Sequence, residues 1–135
     1  DVYKRQMQLG ELIRSIMPSL QLPAPASVIG NTDPVVRQML AVLASAADEL
    51  VRRYPYTRRL VDGKWIKPLT TAATDTATLD TDNILFDTPV IRAAVKWRWQ
   101  EANGFDYSEA FRQCEEALSR VASQHMRATR ETVAL

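Results

Sequence analysis

Lys96-Trp97-Arg98-Trp99-Gln100-Glu101-Ala102-Asn103-Gly104-Phe105-Asp106-Tyr107-Ser108-Glu109-Ala110-Phe111 holds two of the chain's three tryptophans and a strong stop-and-restart signal. Asn103 and Gly104 tolerate the left-handed backbone that ends a helix. Asp106 and Glu109 have the spacing of a capping box, in which each side chain accepts the other's backbone N–H at the start of the next helix. The spacing therefore predicts a helical hairpin with a very short connection, whose arms must lie against each other. Trp97 and Trp99 are two positions apart and point about 200° from each other on a helix. One is expected to pack inward. The other meets a different element, the connector or a partner subunit, where tryptophan is enriched.

Working outward, Tyr107, Phe111, Cys114, Leu118, Val121 and His125 share one stripe, so the second arm is expected to run from Tyr107 to about Ala128. Residues 127–135 are expected to trail off as a tail. Thr88-Pro89 supplies a cap and a proline for the first arm, read as 89–102. Asn31-Thr32-Asp33-Pro34 repeats that signal, with Asp33 or Thr32 as cap. Val36, Leu40, Leu43, Ala47, Leu50 and Tyr54 follow on one face, predicting a long helix to about Arg53. Leu9, Leu12, Ile13, Ile16, Met17 and Leu20 give a first amphipathic helix that Pro18 should end or kink. The fold class is thus mainly α: a four-helix domain with a short β-hairpin or extended arm in the middle.

That middle segment changes character. Leu60-Val61-Asp62-Gly63-Lys64-Trp65-Ile66 reads as a hairpin around a two-residue Asp-Gly turn. Residues 70–82 contain six threonines and no apolar period, so they read as a long loop or mobile arm. Residues 52–67 carry Arg52, Arg53, Arg58, Arg59, Lys64 and Lys67 against Asp62 alone, interleaved with Tyr54, Tyr56 and Trp65. Residues 68–91 carry four aspartates, Asp75, Asp80, Asp82 and Asp87, and no basic residue. A basic, aromatic-interleaved segment can meet nucleic acid. It can equally meet the acidic segment of a neighbouring copy. A solvated surface is the third reading.

Composition bounds the function. With 135 residues, 46% apolar and 24% charged, the chain reads as one globular domain over 7–126 with an excursion at 53–87. A net charge of +1 argues against a globally basic nucleic-acid binder. One cysteine excludes an internal disulfide framework and fits a reducing compartment. No apolar run approaches a membrane span, and 7–22 is too charged for a secretory signal. Asp1-Val2-Tyr3-Lys4-Arg5-Gln6 reads either as a sequencing-library remnant ahead of a natural start at Met7 or as a polar tail, and stays outside the fold argument.

Chemistry finds little support. Cys114 and His125 lie about 16 Å apart if both are on one helix, too far for a nucleophile and its base. Zinc sites want several Cys or His at short spacing, and the acidic segment lacks the calcium-loop glycine and glutamate. No phosphate-cradling glycine pattern occurs. No catalytic, metal-binding or cofactor-binding residue is therefore expected, and no cofactor.

Leu22-Pro23-Ala24-Pro25-Ala26-Ser27-Val28-Ile29-Gly30 followed by Asn31-Thr32-Asp33-Pro34-Val35-Val36-Arg37-Gln38-Met39-Leu40 resembles the N-terminal signature of tailed-phage head-to-tail adaptor proteins. The 97–107 block resembles their C-terminal helical hairpin, and Asp80-Thr81-Asp82 lies where the family often has an acidic turn. The middle departs from the family: many members carry a longer β-rich insertion, and here only 54–87 remains, as in a compact version.

The resemblance implies a structural virion protein, made in the host cytoplasm and found at the head–tail junction. It implies a ring of copies, typically dodecameric, beneath the portal. Such a ring extends the DNA channel without sequence-specific binding and docks the next tail component. The tail at 127–135 would reach the portal, with Arg127 and Arg130 as polar and Val133 and Leu135 as apolar contacts. Arg52, Arg53, Arg58, Arg59, Lys64, Trp65, Lys67, Asp75, Asp80 and Asp82 would supply contacts between subunits or to the tail. Trp97, Trp99, Tyr107 and Phe111 would form the hairpin's core and interface. A nucleic-acid module built on 52–67 is the first alternative. An enzyme, such as a wall-degrading activity, is the second, testable by Glu101→Gln.

Overall fold

The computed structural model describes residues 7–53 and 60–134, with 128–134 as backbone alone. Four helices, α1 (Leu9–Ser19), α2 (Pro34–Arg53), α3 (Thr88–Ala102) and α4 (Ser108–Ala134), accompany a two-stranded antiparallel pair, β1 (Ile66–Lys67) and β2 (Asn83–Ile84). The expected mainly helical architecture with a β element in its middle is what forms. Among the described residues no helix is long and apolar enough to cross a membrane.

Helix α3 is the hub, packing against α1, α2 and α4. Val90, Ile91, Ala93, Ala94, Val95 and Trp99 are buried around most of its circumference. A helix enclosed on several sides has no clean polar face, so its apolar residues do not form a single stripe. Against it lie Leu12, Ile13 and Ile16 of α1, and Val36, Met39, Leu43, Ala46, Ala47 and Leu50 of α2. Met39 and Ala46 belong to the α2 seam, while Leu40, expected there, is only half-buried. On α4 the seam is Ala110, Cys114, Ala117 and Leu118. The two alanines let the backbones approach, and Tyr107 and Phe111 are displaced to its exposed rim.

Three helix ends follow local chemistry. Asp33 caps α2, its Oδ1 accepting the N–H of Val35 at 2.9 Å. Helix α3 ends in a Schellman motif: Gly104 is left-handed (φ 78°), the Phe105 N–H bonds the Gln100 carbonyl and the Gly104 N–H that of Glu101. Helix α1 ends the same way without a glycine. Gln21 takes φ 61°, and the Leu22 N–H reaches back to the Met17 carbonyl at 2.9 Å. Pro18 lies inside the last turn of α1 rather than ending it.

Several local expectations are corrected. The capping box at the start of α4 does not form. Asp106 accepts the backbone N–H and hydroxyl of Ser108 at 3.0 and 2.7 Å, and Glu109 turns forward to Arg112. A short Asx turn satisfies Asp106 locally, leaving the glutamate to a stronger charged partner. The cap position of α3 falls to Asp87 instead of Thr88. The Asp62–Gly63 turn has both residues at positive φ, 51° and 74°, and pairs Val61 with Lys64. Beyond it, however, the strand partner of Ile66 is Ile84, across the threonine-rich segment. Finally, 127–134 is no loose tail: the backbone stays helical to Ala134.

The threonine-rich segment is a strap fixed to the N-terminus of α1. Gln8 gives α1 no side-chain cap, so its first N–H groups need other acceptors. The Asp82 carbonyl takes the N–H of Leu9 at 2.8 Å and the Asp80 carbonyl that of Gly10 at 2.9 Å. Thr74 pairs with Ile66 on one side of β1, and residue 8 pairs with Asn83 on the far side of β2.

Candidate functional site

The end of the α3–α4 hairpin gathers five aromatic rings. Trp99 stacks on Phe105 at 5.6 Å between centroids, 11° from parallel. Trp97 meets Phe111 edge-on at 5.2 Å and Tyr107 at 5.8 Å, with the Arg98 guanidinium 4.8 Å from its ring centre. The two tryptophans do point apart. Trp99 is buried and Trp97 half-buried, and both find partners within the chain, from the connector and from α4. Arg98 is held against α2 by Glu49 and Ser45. Yet Phe105, Tyr107 and Phe111 stay exposed, Phe105 by 58%. An aromatic cluster open to water is unusual, and aromatic side chains are enriched in protein interfaces.

Beside this cluster runs a groove of about 650 Å³ between the end of α1 and the hairpin turn. Leu20, Gln21 and Leu22 form one wall, and Trp99, Gln100, Phe105 and Asp106 the other. The indole Nε1 of Trp99 and the Oε1 of Gln100 are buried without a hydrogen-bond partner. Phe105, Gln21 and Gly104 thus matter more to this surface than their sequence context announces. The signal for Phe105 was its place after the helix-ending glycine, where a Schellman motif favours an apolar residue.

Several charged residues of the middle segment have partners within the chain. Arg53 is gripped by Glu115 at 2.8 Å through both guanidinium ends and lies 3.6 Å from Glu49. The Glu115 bond raises the Arg53 pKa, and Arg53 in turn holds the Glu115 carboxyl below its ordinary value. Arg52 pairs with Asp48 at 2.7 Å and Lys64 with Asp75 at 3.3 Å. The Lys67 ammonium donates to the carbonyls of Pro68 and Thr71 at 2.8 and 2.7 Å, closing its own loop. Arg58 and Arg59 lie outside the described residues, as do Leu135 and the side chains of Arg130 and Val133. Arg127 is exposed on α4.

Of the residues expected at contacts between copies, Trp65 and Asp82 are buried and Asp80 is half-buried. Trp65 is buried and stacked on Phe86 at 6.0 Å. Asp82 is 0% exposed, its Oδ2 accepting from the N–H and hydroxyl of Thr78 and the N–H of Leu79. Asp80 accepts the N–H groups of Val28 and Ile29 at 2.9 and 2.7 Å and has Arg14 at 3.5 Å. A carboxylate surrounded by backbone donors closes a turn more cheaply than it serves a distant partner. The acidic segment is therefore a staple inside the chain.

Burial, with Glu115 nearby, pushes the Cys114 thiol up to about 11, so it stays protonated at neutral pH. Among the described residues no group of three His, Cys, Asp or Glu side chains is placed to hold a metal ion. The geometry offers an aromatic, grooved surface suited to contact. No family model, curated protein or solved structure matches the chain.

Proposed function

We propose that this chain is a structural protein of a tailed-phage virion, a head-to-tail adaptor whose copies form a ring, dodecameric as in the family it resembles, under the portal. One observation carries most of this reading. Helix α4, with 27 residues, is about 40 Å long, while its partner α3, with 15, is about 22 Å. The last turns of α4 therefore run on past the helix they pack against, and Met126 and Arg127 are exposed there. A rigid body with a projecting helix suits a protein joined to something larger. In this reading the arm at 127–135 docks on the portal, and the ring extends the DNA channel and receives the next tail component. DNA passes without sequence-specific binding.

The internal ion pairs shift one part of the expectation. Arg52, Arg53 and Lys64 already have acidic partners within the chain, so lateral contacts in a ring fall to the apolar hairpin end. The same pairing weakens the alternative of a nucleic-acid module on 52–67, which needs free cations facing phosphates.

The test is to mix the purified chain with portal rings and image the complex by electron microscopy. Wild type should decorate the portal as a ring. Removing 127–135 should cost only the helical signal of those residues while abolishing decoration. Decoration that survives the truncation overturns the portal arm. A wild-type chain that never decorates a portal, but binds DNA with steep salt dependence, overturns the adaptor reading in favour of the alternative.

A further inference from the structure

We infer that the groove between the end of α1 and the α3–α4 turn receives the 68–71 loop of a second copy of this chain, with Leu69 as the inserted side chain. The inference rests on the ring reading and names its lateral contact.

Two of the residues that line the groove each carry an unmet polar atom. Trp99 is 7% exposed and its indole N–H has no acceptor; Gln100 Oε1 has no donor. Leaving buried polar groups unpaired is costly, and each such group in a folded protein calls for an explanation. A peptide group supplies the missing pair, a C=O for the indole and an N–H for the amide oxygen. The apolar walls, Leu20, Leu22 and Phe105, want an aliphatic side chain beside it. Phe105, stacked on Trp99 and largely exposed, is the side chain that moves aside on docking.

The 68–71 loop offers that complement. Leu69 is 62% exposed, among the most exposed large apolar residues described. Pro68 beneath it is buried, and Lys67 clamps the carbonyls of Pro68 and Thr71. The loop is thus pre-organised, which cuts the entropy lost on docking. Among the described residues the Leu69–Thr70 peptide group makes no hydrogen bond, so its C=O and N–H are available. Charge agrees: the loop follows the Lys67 ammonium, and the groove ends at the carboxylate of Asp106, which the Ser108 hydroxyl and N–H hold below its ordinary value. None of residues 68–71 lines the groove of its own chain.

Knob and hole occupy different surfaces, so the contact is heterologous and must propagate until rotation closes it. Two variants separate the halves: Leu69→Asp removes the knob and keeps the hole, and Phe105→Glu does the reverse. Both positions are exposed, so folding, checked by circular dichroism, is expected to survive.

In analytical ultracentrifugation, wild type should assemble as concentration rises, while each variant alone needs about tenfold or more higher concentration. Mixed one to one, they should form a heterodimer and nothing larger. The Trp99 indole N–H resonance of labelled Leu69→Asp should shift on adding unlabelled Phe105→Glu, and the reverse labelling should leave it unmoved. If Leu69→Asp assembles like wild type, or the mixture stays monomeric with no indole shift, the inference is wrong. Portal-bound rings formed equally by wild type and Leu69→Asp overturn it while leaving the ring reading intact. A wild type monomeric even beside the portal overturns both.

Discussion

The carboxylate of Asp80 accepts the backbone N–H of Ile29 at 2.7 Å, across 51 positions of sequence. With the Val28 N–H on its other oxygen and its own carbonyl on Gly10, this residue ties strap, connector and first helix into one knot. Asp80→Asn replaces a carboxylate by an amide whose NH₂ must face one of the two donors. The expected cost is about 2 kcal/mol, in the range for leaving a buried donor unmet. Urea denaturation measures it, and a loss under about 0.5 kcal/mol would show the knot to be dispensable.

Gly10→Ala should destabilise, although alanine is the better helix former. A Cβ on Gly10 would lie 3.0 Å from both Cβ and Oδ2 of Asp80. In an open helix the change would gain up to about 1 kcal/mol; here overpacking against the strap should turn that into a loss of about 1–2 kcal/mol. A raised melting temperature in the variant would refute the close approach.

Gln21→Gly should stabilise. A non-glycine residue in the left-handed region costs roughly 1–2 kcal/mol, and Gln21 takes φ 61° at the end of α1. Glycine removes that strain and returns part of it as unfolded-state entropy, leaving a gain of about 0.5–1 kcal/mol. A lower thermal midpoint would contradict the strained cap.

The Arg53–Glu115 pair should make stability depend on acid. The Glu115 carboxyl titrates below its ordinary value because Arg53 bonds it. The folded chain therefore binds fewer protons than the unfolded one just below pH 5, and stability rises with pH there. The contribution is present above the unfolded glutamate value of about 4.3 and is lost as pH falls through the lower folded value. Both partners are more than a third exposed, so it should stay under about 1 kcal/mol. Denaturation curves of wild type and Glu115→Gln should converge as pH falls below 4; a gap that persists at pH 2.5 would place its origin elsewhere.

What the chain discloses in advance depends on distance along it. The periods of α1, α2 and α3 are local, and their observed bounds fall within a few residues of those read from spacing, prolines and caps. The Asn103-Gly104 stop is equally local. The strap is not: six threonines without an apolar period look like slack, because what anchors the segment is Asp80, whose carboxylate takes backbone N–H groups some fifty positions away. Asp106 and Glu109 matched the capping-box spacing, but competition from Ser108 and Arg112 decided otherwise. The groove is built from 19–22 and 99–106, two stretches no window spans together. Its orphaned indole is invisible until both are in place.

The carbonyls that complete α1 come from Asp80 and Asp82. On a ribosome the first helix therefore emerges about seventy residues ahead of its own cap. Until the strap clears the exit tunnel, Leu9 and Gly10 have only water as acceptor, and the apolar face of α1 has neither β2 nor α3 to lie on. Helix α1 is made well before the strap that completes it and becomes permanent only afterwards. A destabilised strap would thus show first as proteolytic clipping of nascent chains within α1, before any change in the melting temperature of the finished protein.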